Sequence, residues 1–324
     1  MNADKVKDFL SPGLERVNTL MSTLLRSDVR LLEQVNGAVL QSGGKRIRPM
    51  LALLSAGACG RRDDEEAVKV AAIVELLHNA TLLHDDVVDG SHLRRGVPTM
   101  FSLLGGGPAV LLGDYWLSKA VEAILSTKKD HDALIRIFSG TISDLTNGEL
   151  LQMEKAESCD TTEEDYLRII YYKTASLFEA AARSAAIAVG APKPYTEALA
   201  RYGSAVGHAF QIKDDIFDYS SDGSIGKPVG IDLKEKKITL PLLGALKGSP
   251  EEARIRSMVR EMDSRPENAE AVRAFVVGGD GIAYAEKRLE DFIETALEAL
   301  APLPETEEKS YLAGLARSMA GRKK

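Results

Sequence analysis

Apolar residues recur at helical spacing from one end of this 324-residue chain to the other, and no run of alternating or β-branched residues is long enough to require a strand. The pattern predicts an all-α fold of about ten or more helices. Several helices carry their own punctuation. Thr161-Thr162-Glu163-Glu164 resembles a capping box, opening a helix through Tyr171, Lys173 and Phe178 to about Val189, where Gly190 and Pro192 stop it. Pro49 suits the first turn of a helix holding Leu51, Leu53 and Leu54, with Gly60 past its end. Gly105-Gly106-Gly107-Pro108 and the polar segment from Asp222 to Lys237 read as loops between helices. Neither is long enough to separate two cores, so one domain over residues 1–324 is expected.

The chain has the balance of an ordinary globular protein, with 44% hydrophobic and 27% charged residues. A net charge of -7 argues against an electrostatic nucleic-acid binder, so anion binding must come from a local basic cluster. Cys59 and Cys159 have no Cys or His at metal-ligand spacing, which argues against zinc or a disulfide framework and fits a reducing cytoplasm. The first ten residues mix Lys5, Lys7, Asp4 and Asp8 and do not read as a signal peptide. The most apolar stretches, Met50 to Ala58 and Ala185 to Val189, are too short to cross a bilayer, leaving peripheral membrane contact at most.

One short pattern occurs twice. His84-Asp85-Asp86-Val87-Val88-Asp89 closes an apolar helical run, and Asp214-Asp215-Ile216-Phe217-Asp218 repeats its aspartate spacing. In a helix Asp85 and Asp89 share a face, as do Asp214 and Asp218. Two carboxylates about 6 Å apart repel by roughly 3 kcal/mol at an effective dielectric near 20, so each pair calls for a cation. Oxygen-only ligands suit a hard divalent ion, and magnesium completes its shell with water and substrate phosphates. A single such cluster could be no more than a charged helix end. Two inside apolar helices, beside phosphate-binding bases, favour the metal.

Those bases are present. Gly43-Gly44-Lys45-Arg46-Ile47-Arg48-Pro49 sets three cations just before a helix N-terminus, where a diphosphate is the natural guest. Arg94 and Arg95 follow the first cluster closely enough for a loop to fold them back over metal-held anions. Lys173, Lys227 and Lys237 are weaker signals, each as ready to be a solvated surface charge. His78, seven residues before Asp85, and Gln211, three before Asp214, look toward the same cleft.

These residues resemble the trans-isoprenyl diphosphate synthase family, in particular its long-chain polyprenyl type. The matching segments also include Leu93-Arg94-Arg95-Gly96, Gly113-Asp114, Gly148-Glu149-Leu150-Leu151-Gln152, Lys173-Thr174, Phe210-Gln211-Ile212-Lys213 and Gly226-Lys227-Pro228. They occur in family order over about residues 40 to 245. The resemblance implies a single large bundle of antiparallel helices around a deep central cavity, usually in a homodimer. It implies that Asp85 and Asp89 hold two magnesium ions and Asp214 a third, with Asp86, Asp215 and Asp218 in support. It assigns Lys45, Arg48, His78 and Arg95 to isopentenyl diphosphate, and Arg94, Lys173, Lys227 and Lys237 to an allylic diphosphate. Gly90 stands where an acidic residue is common, and Lys236 where glycine is common.

The implied reaction ionises the allylic diphosphate and joins the cation to isopentenyl diphosphate. Stabilising the leaving charge is the main task, Thr174 and Gln211 offer oxygen dipoles to the cation, and released diphosphate takes the last proton. A bulky aromatic about five residues before the first aspartate stops the tail in short-chain members. Ala80 and Thr81 stand there, so a product longer than geranylgeranyl is expected. The alternatives are a shorter-chain synthase making farnesyl or geranylgeranyl diphosphate, a silent partner subunit, and a terpene cyclase or head-to-head condensing enzyme. Retention of all six aspartates argues against the silent subunit, and a second diphosphate pocket at Lys45, Arg48 and Arg95 argues against a cyclase.

Overall fold

The computed structural model describes residues 3–41, 44–94, 96–219 and 230–321. The first half runs through α1 (Ala3–Phe9), α2 (Ser11–Leu24), α3 (Arg30–Gln41), α4 (Ile47–Ala58) and α5 (Glu65–Val88). A two-stranded antiparallel ladder of β1 (Leu93–Arg94) and β2 (Val97–Pro98) follows. Next come α6 (Met100–Leu104), α7 (Gly106–Leu125), α8 (His131–Ser158) and α9 (Glu163–Ile170). A π-helical turn, Tyr171–Ala175, leads into α10 (Ser176–Ala188) and α11 (Lys193–Tyr219). The rest is α12 (Ile231–Lys234), α13 (Leu240–Leu246), α14 (Glu252–Arg260), α15 (Asn268–Gly278), α16 (Gly281–Ala299) and α17 (Glu307–Gly321).

The middle of the bundle is set by helices that are apolar all round and must be covered on every side. In α4 every residue from Pro49 to Ala58 is buried, and in α5 the run Val70 to Leu77 is buried without a break. Asp64 starts α5 by accepting the Glu66 amide at 2.9 Å. Around these lie α7, α10 and α11, held close by small residues. A Cβ on Gly203 would meet the Phe178 carbonyl at 2.6 Å, and one on Gly207 would meet Ala175 Cα at 2.4 Å, which fixes α11 antiparallel to α10. One contiguous hydrophobic core extends from Val6 to Met319. Among the described residues no helix is long and apolar enough to cross a membrane.

Local expectations need correction in four places. The capping box sits one residue later than the sequence pattern suggests: Thr162 Oγ1 accepts the Asp165 amide at 3.1 Å and Asp165 Oδ2 accepts the Thr162 amide at 3.0 Å. Thr161 is instead buried, its carbonyl accepting from Arg256 at 3.2 Å. The helix it opens is interrupted by the π turn. Gly106, Gly107 and Pro108 belong to the first turn of α7, and only Gly105, at φ +84°, makes the break. Within the expected 222–237 loop, residues 231–234 form α12, while 220–229 lie outside the described residues.

Candidate active site

The first aspartate cluster is the C-terminal end of α5. Gly90 and the residue after it terminate that helix: Gly90 takes φ +59°, and the Ser91 amide bonds the Asp86 carbonyl at 2.9 Å. The chain then folds back through the β-ladder, and Arg94 donates to Asp86 Oδ1 from both Nε, at 2.9 Å, and Nη2, at 2.8 Å. Asp86 is thus buried and neutralised by protein. Among the described residues Asp85 accepts no such bond: burial pushes its carboxyl up to about 6, Glu149 and Asp89 add to the push, and Lys173 and Arg94 oppose it. Burial raises the Asp89 carboxyl too, with Lys237 pulling the other way. At the outer side of α5, His84 lies 3.2 Å from Asp114 and rests against Gly113, whose lack of a side chain admits the ring.

The second cluster lies near the end of α11. Asp215 and Asp218 are buried, and protein groups occupy their oxygens. Asp215 accepts from Tyr166 Oη at 2.7 Å and from Gln211 Nε2 at 2.8 Å. Asp218 accepts the backbone amides of Gly230 and Ile231 at 3.2 Å and of Asp232 at 3.1 Å, capping α12. Asp214, just before them on the same helix, is half-buried.

The π turn brings the two clusters together. Lys173 pairs with Glu149 at 2.5 Å and acts electrostatically on both Asp85 and Asp89. The next residue, Thr174, donates to Gln211 Oε1 at 2.8 Å, three residues before Asp214. This turn is gripped by two glycines. A Cβ on Gly148 of α8 would lie 2.7 Å from Tyr172 Cβ and 2.8 Å from Lys173 Cγ, and Gly207 presses Ala175 from the other side. A π turn inserted in an α-helix re-aims its side chains, and such turns are frequent at functional sites.

Lys237 faces the first cluster, since its ammonium acts on Asp89 while Asp232 and Glu235 act on it. Lys236, standing where glycine is common, adopts the left-handed conformation at φ +56° and so keeps the turn. Arg48 Nη1 lies 3.0 Å from His78 Nε2, and its guanidinium sits over the Phe178 ring at 4.8 Å. Lys45, three residues before Arg48 in the chain, is exposed. Arg46, read from sequence as a third cation for an anion, turns instead to Glu75 at 2.6 Å. Arg95 and Lys227 lie outside the described residues. Ala80 is fully buried and Thr81 half-buried, its hydroxyl bonding the His78 carbonyl at 2.9 Å. Two surface hollows, one at Asp64, Glu65, Lys128 and Lys129 and one at Arg183, Glu197 and Arg201, involve none of these residues.

Sequence reasoning gave no role to Glu149, Tyr166 or Glu75. Glu149 lay inside a matching segment. Tyr166 and Glu75 pair across distances in sequence that no local pattern encodes.

The donor set fits a hard divalent ion. Asp85 and Asp89 are carboxylates held at a cost in burial and mutual repulsion, with oxygen the only ligand type offered. Among the described residues no three His, Cys, Asp or Glu side chains gather closely enough to hold a metal by themselves. An ion there needs water or substrate oxygens to complete its shell, which is magnesium's habit with phosphates.

The family model "Polyprenyl synthetase" matches residues 29–276. The chain is 39% identical over 319 residues to octaprenyl diphosphate synthase of Escherichia coli, covering 98% of each. It is 40% identical over 323 residues to an all-trans-nonaprenyl-diphosphate synthase of Rhodobacter capsulatus, again covering 98% of each. The crystal structure of a polyprenyl synthase from Caulobacter crescentus complexed with calcium and isoprenyl diphosphate superimposes with a TM-score of 0.89 at 33% identity, covering 99% of this chain and 98% of that one.

Proposed function

Because the chain belongs to the polyprenyl synthetase family, we propose that it is an all-trans polyprenyl diphosphate synthase, condensing isopentenyl diphosphate with an allylic diphosphate. The carrying observation is the Lys173–Thr174 turn, which acts on Asp85 and Asp89 through one residue and bonds Gln211 of the second cluster through the next. Asp85, Asp89 and Asp214 would hold magnesium, two ions at the first cluster and one at the second. The metal would supply positive charge to the departing diphosphate.

The protein's own residues do the rest. Lys173, Arg94 and Lys237 grip the allylic diphosphate, Lys173 exchanging the Glu149 carboxylate for phosphate oxygens. Lys45, Arg48 and His78 hold isopentenyl diphosphate. Thr174 donates its hydroxyl hydrogen bond to Gln211, so its lone pairs are left for the allylic cation. Arg95 and Lys227 belong to the two diphosphate pockets by the family pattern. Ala80 offers no bulk against a descending tail, and the product is longer than geranylgeranyl. A homodimer fits the unpartnered stripe of Val110, Leu111, Val121 and Leu125 along α7, and a cytoplasmic setting fits the free cysteines.

The experiment is incubation with farnesyl diphosphate, labelled isopentenyl diphosphate and magnesium, followed by reversed-phase chromatography. Labelled products longer than geranylgeranyl are expected, and none in excess chelator. Hydrocarbons without chain extension would instead identify a cyclase.

A further inference from the structure

We propose that Arg46 and Glu75 are a positioning pair that sets the pocket for the non-allylic diphosphate; this rests on the reading that Lys45, Arg48 and His78 hold that substrate. Arg46 is the N-cap of α4 and sits at φ +52°, ψ +31°, the left-handed region that L side chains rarely adopt. No side-chain cap bond steadies it there. What holds it is its own guanidinium: Nη1 donates to Glu75 Oε1 at 2.6 Å, and Nη2 to the Leu40 carbonyl at 3.4 Å. Both members are withdrawn from water, with side-chain exposures of 14% and 8%.

The placement gives the pair its consequence. Lys45 and Arg48 flank Arg46 in the chain, so a fixed left-handed turn at 46 decides where both cations start. Glu75 lies three residues before His78 on α5, hence on a neighbouring position of one helix face. Its carbonyl is itself tied to Asn79 Nδ2 at 2.7 Å. One ion pair therefore docks the basic segment on the helix that carries its third ligand. Arg46 is a cation consumed in positioning, not a third ligand.

The test separates these roles. In initial-rate kinetics with both substrates varied, Glu75→Gln and Arg46→Met should each raise the KM for isopentenyl diphosphate about tenfold, leaving the allylic KM within about twofold and kcat within about fivefold. The charge-reversed double variant Arg46→Glu/Glu75→Arg should recover most of that loss. Were Arg46 a direct ligand, Glu75→Gln would release it and lower the KM or leave it unchanged; that result overturns the proposal, as does an equal rise in both KM values. Should Arg46→Met fail to fold, Glu75→Gln, which keeps shape and a hydrogen bond, decides alone. Calorimetric titration of metal-free protein with inorganic diphosphate reads the same pocket without turnover, with about tenfold weaker binding expected in both single variants and unchanged binding contradicting the pair. Absence of chain extension by the unaltered protein would sink the functional reading rather than this one.

Discussion

The two Asp-Asp-x-x-Asp stretches share a pattern and differ in what holds them. At the end of α5, Asp86 is paired with Arg94, but Asp85 remains raised by burial, Glu149 and Asp89, and Asp89 by burial and Glu149. In α11, burial and the nearby Asp232 and Asp214 charges push the Asp215 carboxyl up as well, but Tyr166 and Gln211 donate to it, and Asp218 accepts the amides that open α12. Both store repulsion, but among the described residues the first leaves Asp85 and Asp89 without a hydrogen-bond donor, where a cation can relieve them, whereas the second ties two of its three carboxylates into the scaffold. Equal spacing along a helix fixes which way carboxylates face. What waits for them there is decided by the rest of the fold.

The largest expected effect is on the first cluster. Asp85→Asn should lower kcat/KM about a thousandfold, measured by product formation, while leaving thermal stability unchanged or slightly raised because it removes a strained charge. Asp218→Ala should do the reverse: chemical denaturation should show a loss of about 3 kcal/mol as three amides lose their acceptor. If both variants lost activity alone, the contrast between the clusters would be wrong.

A smaller effect should follow from loosening the link between the clusters. Gly207→Ala drives a methyl against Ala175, costing about 2 kcal/mol in stability and separating Gln211 from Thr174, with kcat falling at least about tenfold. Smallest, Tyr166→Phe removes one bond to Asp215 and should cost about 1 kcal/mol, with kcat down about fivefold. A stability loss in Tyr166→Phe with no change in kcat would show that the Tyr166–Asp215–Gln211–Thr174 chain does not reach the chemistry.

The helical class was legible because it rests on spacing within each segment; the aspartate and arginine candidates and Lys45 could be named from such spacing, and Lys173, Lys227 and Lys237 only from the family resemblance. Lys173 and Thr174 could be named from their motif, but the π turn that aims them could not, since it arises where Gly148 and Gly207 press from two other helices. Arg46 shows the same limit from the opposite side. By composition it belongs with Lys45 and Arg48, and only Glu75, 29 residues on, removes it from that set. The shift of the capping box by one residue has a similar origin, in Arg256 drawing the Thr161 carbonyl away.

The most direct test of the contrast is a manganese titration followed by electron paramagnetic resonance with inorganic diphosphate present, comparing the unaltered protein with Asp85→Asn and Asp218→Asn. The unaltered protein and folded Asp218→Asn should bind the ion alike, whereas Asp85→Asn should bind it at least about tenfold more weakly. Equal binding by Asp85→Asn, or loss confined to Asp218→Asn, would contradict the account.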